Sequence, residues 1–268
     1  MQSKRSTNKS DAVVEHKSRL RDVFEKRVQI YWRTKSHVDP RFLCDIVKSS
    51  RARKNGIVLD LGTGIGIVAL AFSQKVGAKG TVIGIDLSSR VLAEARHWGN
   101  GSENLNFTAS DIENMPFKNE SFTVISSRFV LHHLVSPKSM LIEAYRVLKS
   151  GGHILIADGV APELPEADAF LNEIGKARDE THVRYHTAAE ISNMIEDAHF
   201  TDIQVYRDPI GYPLSLREWV DSAEPSKYPI LKKAFKKASK NVKLAFQIAQ
   251  KKEDISFYVP TIIITGEK

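Results

Sequence analysis

The chain places three glycines at a spacing of two, Gly62, Gly64 and Gly66, just after an apolar run that contains Asp60, in the stretch IVLDLGTGIG. Because glycine has no Cβ, such a turn lets a ligand lie against bare backbone at the carboxyl end of a strand, where α/β sheets bind their ligands. A second apolar run ends in Asp86. A carboxylate there can accept hydrogen bonds from both hydroxyls of a ribose. Together these features predict a nucleoside site.

The spacing of the glycines restricts the ligand. The dinucleotide fingerprint G-x-G-x-x-G would need its third glycine at the position of Ile67, so NAD and FAD are disfavoured, although a shifted fingerprint stays open. No Gly-Lys-Ser/Thr sequence follows, which excludes a triphosphate P-loop. Asp60 would repel a pyrophosphate but suits a ligand with positive charge. The pattern therefore indicates a cationic nucleoside, and S-adenosylmethionine fits through its sulfonium and α-amino groups.

An alternation of strands and helices must hold this site. The apolar periodicity predicts strands over 57–62, 81–86, 105–110, 122–127 and 153–158, and helices over 65–76, 88–98 and 137–149. Ser88 is expected to cap its helix. This spacing is typical of βαβ units and predicts a mostly parallel sheet with right-handed crossovers.

The regular alternation stops after Asp158. Apolar spacing still predicts helices over 12–32, 187–199 and 230–252, and strands over 200–206 and 257–268. Pro260 lacks an amide donor, so its part of the last strand should lie where one ladder bond is dispensable.

Length and composition limit the class of protein. The 268 residues suit one large domain or a domain with an elaboration. A single cysteine, Cys44, excludes an internal disulfide and a multi-cysteine zinc site, and it fits a reducing compartment. The N-terminus has no apolar signal region, and no run approaches about 18 apolar residues. We therefore expect a cytoplasmic protein without a transmembrane segment.

The net charge of +7 is unevenly spread. Residues 1–35 carry a net +6 and residues 227–252 a net +9, which leaves −8 for the rest of the chain. This distribution argues against one broad basic face and leaves open a basic helix that contacts phosphate, an anionic membrane or an acidic partner. We interpret the lysine-rich 230–252 segment as the solvated face of a lid helix rather than a nucleic-acid surface.

Five ordered stretches resemble a known family: VLDLGTGIG, GIDLS, SDIENMPF, FTVISSRFVLHHL and LIEAYRVLKSGGHILIAD. They are similar to the successive motifs of class I S-adenosylmethionine-dependent methyltransferases, most of all the branch with the ubiquinone/menaquinone C-methyltransferases. The match spans roughly residues 55–160. The resemblance implies an α/β, Rossmann-like fold with a seven-stranded, mostly parallel sheet, an antiparallel last strand, flanking helices, and a helical cover from the N-terminus and late insertions.

We divide the chain accordingly. Residues 1–54 form an N-terminal tail and helices, and residues 55–208 form the cofactor-binding core with an insertion at about 159–187. Residues 209–256 form a helical insertion or lid, and residues 257–268 return to the core as its final strand.

The family pattern implies roles for individual residues. The turn from Asp60 through Gly66 would hold the methionine end of the cofactor, Asp86 would bind the ribose hydroxyls, and Leu87 would lie against the adenine. Asp111 would bond the adenine amino group, with Ile112 on the other ring face. The full set of implied cofactor-binding residues is Tyr31, Asp60, Leu61, Gly62, Thr63, Gly64, Gly66, Asp86, Leu87, Asp111, Ile112, Ser127 and Arg128.

Three of these positions would lie near the methionine end or the cover of the cofactor. Ser127 and Arg128 would sit beside the methionine moiety. Arg128 departs from the pattern, since many relatives carry a smaller or neutral residue there, and it could pair with the cofactor carboxylate or an anionic substrate. Tyr31 precedes the first strand, where relatives cover the cofactor, but it also fits a core residue at a helix end.

The candidate catalytic residues are His133, Asp158 and His182. The adjacent histidines at 132 and 133 would point about 100° apart on a helix, so they do not form a metal pair, and we expect no metal site. Asp158 ends the fifth strand at the ligand edge and could act as a base or cap a loop. A stretch without core periodicity, RDETHVRYHT, offers substrate contacts through Arg184, Tyr185 and His186, or else is a solvated loop.

The predicted reaction is an in-line methyl transfer to a small-molecule acceptor, leaving S-adenosylhomocysteine. Its main demands are alignment, proximity and water exclusion, and a base is needed only when the nucleophile must lose a proton. Two alternatives stay open: an RNA methyltransferase, supported by the basic segments, and a non-catalytic protein that binds the cofactor. A nicotinamide oxidoreductase is a more distant third, and a homodimer stays open.

Overall fold

The computed structural model describes residues 9–31, 38–207 and 213–268. Ten helices are described, namely α1 (Lys9–Tyr31), α2 (Pro40–Ser49), α3 (Ile67–Val76), α4 (Ser89–Trp98), α5 (Pro137–Val147), α6 (Pro165–Arg178), α7 (Ala188–Asp197), α8 (Leu216–Asp221), α9 (Tyr228–Lys237) and α10 (Lys240–Ala245). Short 3₁₀ turns lie at Leu131–His133 and Pro225–Lys227. No helix within these ranges is long and apolar enough to cross a membrane.

The strands form two sheets. In chain order they are β1 (Ile57–Leu61), β2 (Thr81–Asp86), β3 (Leu105–Ala109), β4 (Phe122–Arg128), β5 (Leu148–Gly159), β6 (Thr201–Arg207), β7 (Leu214–Ser215), β8 (Ala249–Lys251), β9 (Asp254–Phe257) and β10 (Thr261–Glu267). The central sheet has the order β3-β2-β1-β4-β5-β10-β6, and β7, β9 and β8 form a small second sheet.

The central sheet confirms the predicted fold class. Strands β1 to β5 pair in parallel, and β10 runs antiparallel to both β5 and β6. The strand order reverses beside β1, which pairs with β2 on one side and with β4 on the other. In open α/β sheets, ligands bind outside the carboxyl ends of the strands at such a switch point. The glycine turn follows β1 at this place.

Local signals fix the helix starts around the site. The Ser88 hydroxyl accepts a hydrogen bond from the Val91 amide at 3.1 Å, which confirms the predicted cap of α4. Thr187 and Glu190 form a reciprocal capping box at the start of α7. Helix α3 starts directly behind Gly66. Each of these helices therefore begins at the carboxyl edge of the sheet.

Residues 230–252 differ from the predicted single helical run. Ala238 is extended, at φ −53° and ψ 142°, and ends α9, after which the Ser239 hydroxyl caps α10 by accepting from the Val242 amide. The segment then continues into β8. Both helices bury their apolar positions in one cluster, so the helical spacing of apolar residues continues across the break at Ala238. The periodicity alone therefore could not distinguish two helices from one.

The last strand is also shorter than predicted. Phe257 belongs to β9 of the small sheet, and β10 starts only at Thr261, directly after Pro260. Because proline has no amide hydrogen, it ends the pairing on this side. The Pro260 carbonyl instead accepts from the Val160 amide at 2.8 Å.

Two separate apolar regions result. One lies on the faces of the central sheet, where Phe42, Phe72 and Leu155 pack on one side and Phe122, Leu141 and Phe200 on the other. The second, which we call the insertion cluster, joins α6 to residues 214–257 through the side chains of Leu171, Ile174, Leu216, Leu231, Phe235, Val242, Phe246 and Phe257.

Candidate active site

The three glycines of the turn have different reasons to be glycine. All have positive φ, at 59°, 54° and 81° for Gly62, Gly64 and Gly66. A Cβ at Gly62 would come within 2.5 Å of Val130, and one at Gly66 within 2.7 Å of Phe107, so both allow close packing. A Cβ at Gly64 would meet nothing within 4 Å. The middle glycine therefore exposes bare backbone to open space.

Asp60 is buried at the base of this turn. Its carboxylate accepts hydrogen bonds from the Ser126 hydroxyl at 2.5 Å and the Thr63 hydroxyl at 2.7 Å. Burial raises the pKa of Asp60 to about 6, against the effect of these hydrogen bonds and of the charge on Arg128. Burial lowers the pKa of Arg128 to about 10, and the negative charge of Asp60 opposes this shift.

Asp86 is held by two backbone amides. Its carboxylate oxygens accept from the Gly64 amide and the Ser88 amide, each at 3.0 Å. Burial raises its pKa, and these hydrogen bonds counteract the shift. The side chain therefore links the glycine turn to the start of α4 and stands at the carboxyl end of β2.

A cavity opens above these residues. The carboxyl edge of the sheet contributes most of its lining, and α1 contributes the rest. The residues from the sheet edge, and from the loops and helix starts that follow its strands, are Asp60, Gly62, Thr63, Gly64, Ile65, Ile67, Val68, Asp86, Leu87, Val91, Asp111, Ile112, Glu113, Arg128, Phe129, Val130, His133, Leu134 and Val135. Those from α1 are Val13, His16, Lys17, Leu20, Arg21 and Phe24.

Polar contacts fasten α1 over the cavity. Lys17 donates to an Asp111 oxygen at 2.7 Å and also pairs with the Glu113 carboxylate. Burial acts to lower the pKa of Lys17, but its hydrogen bonds with the two carboxylates raise it overall. His16 contacts the His133 carbonyl at 2.8 Å. The helix is thus both a wall of the cavity and its cover.

His133 has a defined tautomer. Its Nδ1 lies 3.0 Å from the Thr181 carbonyl oxygen, which can only accept, so Nδ1 carries the proton. The Thr181 hydroxyl donates to Asp179 at 2.6 Å, and Arg27 of α1 donates to the same carboxylate at 2.6 Å. Burial, followed by the charge on His132, lowers the pKa of His133 to about 3. The ring is therefore neutral, with its lone pair on Nε2.

The other histidine of the pair faces away from the cavity. His132 Nδ1 lies 2.6 Å from an Asp158 oxygen, which also accepts from the Gly159 amide. The His132 ring packs 4.8 Å from the ring of Tyr185 and 5.6 Å from that of His182. In the described part of the chain, no three His, Cys, Asp or Glu residues converge as a metal site would require.

The remaining predicted site residues lie behind the cavity wall. Asp158, His182 and Tyr185 are buried and do not line the cavity. Burial lowers the pKa of His182 and raises that of Tyr185, so both are neutral. Arg184 pairs with Asp168 and Glu190.

His186 lies 3.5 Å from the Glu190 carboxylate, on the same side of the molecule as these residues. It also lies outside the cavity lining.

The structure brings most predicted cofactor residues together. Among them, Leu61, Gly66 and Ser127 stand beside the cavity without lining it, and the Ser127 hydroxyl is buried without a hydrogen-bond partner among the described residues. The side chain of Tyr31 lies outside the described part of the structure.

Sequence reasoning missed the residues of α1 that line the cavity. Its apolar spacing predicted a helix but could not indicate what Lys17 or Phe24 would contact, because the partners lie about 90 or more residues away. A better signal was available in the acidic pair at 111 and 113, which needs a cation once it is partly buried.

Comparison with known proteins agrees with this geometry. The profile of a family described as a methyltransferase domain matches residues 59–156. An uncharacterised methyltransferase of Bacillus subtilis, YcgJ, is 32% identical over 251 residues, which cover 91% of this chain and 97% of the relative. A ubiquinone/menaquinone biosynthesis C-methyltransferase, UbiE of Pectobacterium atrosepticum, is 28% identical over 181 residues, covering 60% of this chain and 72% of UbiE.

Solved structures give the same result. The crystal structure of YcgJ has a TM-score of 0.77 at 29% identity and covers 85% of this chain and 97% of that one. A crystal structure of a protein from Bacillus halodurans described as a methyltransferase, BH2331, also has a TM-score of 0.77, at 30% identity, and covers 84% of this chain and 98% of its own.

The chain belongs to the class I S-adenosylmethionine-dependent methyltransferase family. The predicted enzyme class, cofactor and similarity to the ubiquinone/menaquinone C-methyltransferases are confirmed.

Proposed function

We propose that this methyltransferase transfers the methyl group to a small-molecule acceptor bound between the glycine turn and α1. One observation carries the proposal: the cavity at the switch point is walled by α1, whose apolar residues Leu20 and Phe24 line it together with the carboxylates of the sheet edge. A site covered in this way suits a compact acceptor that can be enclosed with the cofactor. An RNA strand would need an open, basic groove instead.

The residues at the cavity fit S-adenosylmethionine. Gly64 has a left-handed backbone and open space where its Cβ would stand, so it can lie against the methionine end. Asp86 lines the cavity at the carboxyl end of β2, where it would bind the ribose hydroxyls, and Asp60 would offer negative charge to the α-amino group. The Ser127 hydroxyl is buried without a partner among the described residues and stands beside this end of the site. Asp111 and Ile112 line the part assigned to the adenine.

His133 would orient the acceptor. Its Nε2 lone pair has no hydrogen-bond partner among the described residues, and the residue lines the cavity. With a pKa of about 3, this imidazole is a weak base at neutral pH, so general-base catalysis is not its main contribution. It can still accept a hydrogen bond from an O–H or N–H of the acceptor and aim the nucleophilic lone pair.

Bound S-adenosylmethionine supplies a methyl carbon on a positively charged sulfur, which leaves as a neutral thioether. The protein contributes alignment and a dry site: α1 excludes water, Asp60 and Asp86 hold the methionine end and the ribose of the donor, and His133 orients the acceptor. The proton of the acceptor leaves to solvent after the new bond has formed.

The other predicted catalytic and substrate residues act indirectly in this proposal. Asp158 positions His132, and His182 and Tyr185 pack behind it. Arg184 and His186 anchor the start of α7 through Glu190. The division of the chain into domains, the homodimer and the cytoplasmic location stay predictions.

Calorimetry and a radiolabel screen test the proposal. S-adenosylhomocysteine should bind the wild type, and Asp86→Ala should weaken binding by roughly 100-fold, since each hydrogen bond to a charged group contributes about 1.5–3 kcal/mol. His133→Phe keeps the ring and removes its nitrogens, so it should lower methyl transfer to small acceptors without changing the cofactor Kd.

The exposed His97→Phe serves as the matched control and should leave both quantities unchanged. Methyl transfer to RNA, with no small molecule labelled in a broad screen, would contradict the small-molecule acceptor. A His133→Phe variant with full activity would contradict the role of that residue.

A further inference from the structure

One segment of the chain concentrates positive charge. Residues 227–252 contain nine lysines and no acidic residue. Only two of the nine have partners among the described residues: Lys227 lies 3.8 Å from Glu224, and Lys232 donates to the Glu253 carbonyl. The other seven lysines are exposed and make no ion pair with a described acidic side chain. They are Lys233, Lys236, Lys237, Lys240, Lys243, Lys251 and Lys252.

Two large aliphatic side chains stand among these lysines. Ile230 on α9 is 63% exposed and Leu244 on α10 is 78% exposed. Ile230 shares its helix face with Lys233 and Lys237, at spacings of three and seven residues, and Leu244 lies four residues after Lys240. Both helices turn their other faces into the insertion cluster. The outer surface of these two helices is therefore basic and carries two exposed aliphatic side chains.

The aromatic residues of the same segment point the other way. Tyr228, Phe235 and Phe246 are buried in the insertion cluster. Proteins that bind single-stranded nucleic acid present exposed aromatic rings for base stacking, and phosphate recognition in RNA favours the planar guanidinium of arginine. Residues 227–252 contain no arginine. The surface thus lacks the exposed aromatic rings and the arginines that are typical of an RNA-binding face.

We propose that this face, formed by α9, α10 and the β8–β9 turn, docks the enzyme on an anionic lipid bilayer. Lysine ammonium groups act as point charges that are attracted to anionic headgroups, and clusters of four to eight near an amphipathic helix suffice for such attraction. Ile230 and Leu244 insert into the headgroup boundary, as apolar residues of interfacial helices do. The chain outside residues 227–252 carries a net charge of only −2, so the net +9 of this segment orients it toward an anionic surface.

None of the docking residues lines the cofactor cavity, so the proposal is independent of the acceptor. Membrane docking and recognition of the methyl acceptor therefore involve different residues. A variant that loses membrane binding should retain its cofactor affinity, and this serves as the test of folding.

Sedimentation with vesicles tests the proposal on the full chain. Vesicles of phosphatidylcholine with about 30% phosphatidylglycerol should bind the protein, and pure phosphatidylcholine should not. Raising NaCl from about 0.05 to 0.5 M should release it, because screening shortens the reach of surface charge.

Two variants separate charge from insertion. The fourfold change Lys233→Gln, Lys237→Gln, Lys240→Gln and Lys243→Gln should weaken binding at least about tenfold. The matched control changes four other exposed lysines, Lys48, Lys54, Lys75 and Lys79, to Gln and should bind as the wild type does. Ile230→Ser with Leu244→Ser should weaken binding several-fold at unchanged charge.

Four outcomes would overturn the proposal. They are absence of binding to the anionic vesicles, equal binding to neutral vesicles, equal loss in the control variant, and tighter binding of a single-stranded RNA oligonucleotide that is lost in the fourfold variant. An unaltered affinity in the Ile230→Ser, Leu244→Ser variant would show that these side chains do not insert into the bilayer and that charge attraction alone binds the protein. Calorimetry with S-adenosylhomocysteine confirms that each variant is folded.

Discussion

The cavity at the sheet edge and the insertion cluster are built by different means. Around the cavity, Asp60 is buried and Asp86 is half-buried, and the non-glycine residue Phe129 has a left-handed backbone at φ 57°. The insertion cluster contains mostly aliphatic and aromatic side chains, several without exposed surface, such as Phe235 and Phe257. The first region contains features that cost stability, and the second contains features that supply it.

This contrast separates binding from stability. Carboxylates with raised pKa values and a strained backbone such as that of Phe129 are tolerated only where the surrounding structure holds them. The insertion cluster joins helices that lie far apart in sequence, and it contributes no residue from 213–257 to the cavity lining. The left-handed non-glycine residues of this segment, Gln247 and Lys252, lie in exposed turns. Changes in one region should therefore alter unfolding, and changes in the other should alter binding.

The largest effect is expected from Phe235→Ala. Phe235 is fully buried and packs 4.7 Å from the Phe257 ring and 5.4 Å from the Phe170 ring. Removing such a side chain typically costs about 3–5 kcal/mol, through lost burial and the cavity left behind. Chemical denaturation should show this loss, while the Kd for S-adenosylmethionine stays within about twofold. A large change in Kd in the folded variant would contradict the separation of the two regions.

Arg27→Met tests the joint between the two regions. Arg27 of α1 and Asp179 form a buried ion pair at 2.6 Å, and removing one partner of such a pair costs about 3 kcal/mol because the other charge is left uncompensated. Lys138→Met is the matched control, since Lys138 and Asp197 have the same separation but are exposed, and it should cost less than about 1 kcal/mol.

The effect of Arg27→Met should depend on pH. Burial opposes ionisation of Asp179, but His133, Arg27 and the Thr181 hydroxyl keep its pKa well below the usual range. A lowered carboxyl pKa stabilises the fold above the unfolded value of about 3.9, and this contribution is lost as pH falls below it. The difference between wild type and variant, measured by denaturation, should therefore be largest at neutral pH and shrink below about pH 4. A constant difference would mean that packing alone is lost.

The same contrast explains how much could be predicted from the sequence. Asp60, the glycines and Asp86 lie at the ends of their own strands, so the local pattern was sufficient to place them at one edge of the sheet. The cover was not predictable in this way, because Lys17 meets Asp111 across 94 residues and Arg27 meets Asp179 across 152. Periodicity indicates that a helix is amphipathic but not what its polar side chains contact.

Two of the predicted catalytic residues show the same limit of prediction from sequence. Asp158 and His182 carry the right chemistry and lie near the ligand edge, yet both are buried behind His133. The direction of a side chain at the end of a strand depends on the packing of later segments, here 181–187. The small sheet of β7, β9 and β8 was missed because its strands have only two to four residues each.

Gly64→Ala should affect binding more than stability. Gly64 and Gly151 both have positive φ, at 54° and 72°, and neither has an atom within 4 Å of its added Cβ. Both alanine variants should therefore lose a similar amount of stability, about 1–2 kcal/mol, because alanine is strained in the left-handed backbone conformation. Only Gly64→Ala places a methyl group over the cavity, and its Kd for S-adenosylhomocysteine should rise about tenfold or more. Equal Kd values for the two variants would show that the ligand does not approach the turn.

The smallest effect is expected from the titration of Asp60. Its pKa of about 6 without ligand means that it is mostly ionised at pH 7 and mostly protonated at pH 5, with Arg128 and Asp86 as the charged groups nearby. A cationic ligand favours the ionised form, so the affinity for S-adenosylmethionine should fall by about tenfold between these pH values. Asp60→Asn should remove this pH dependence. Methylthioadenosine, which has neither the sulfonium nor the α-amino group, should bind wild type equally at both pH values. Calorimetry that found a parallel loss would assign the titration to another group.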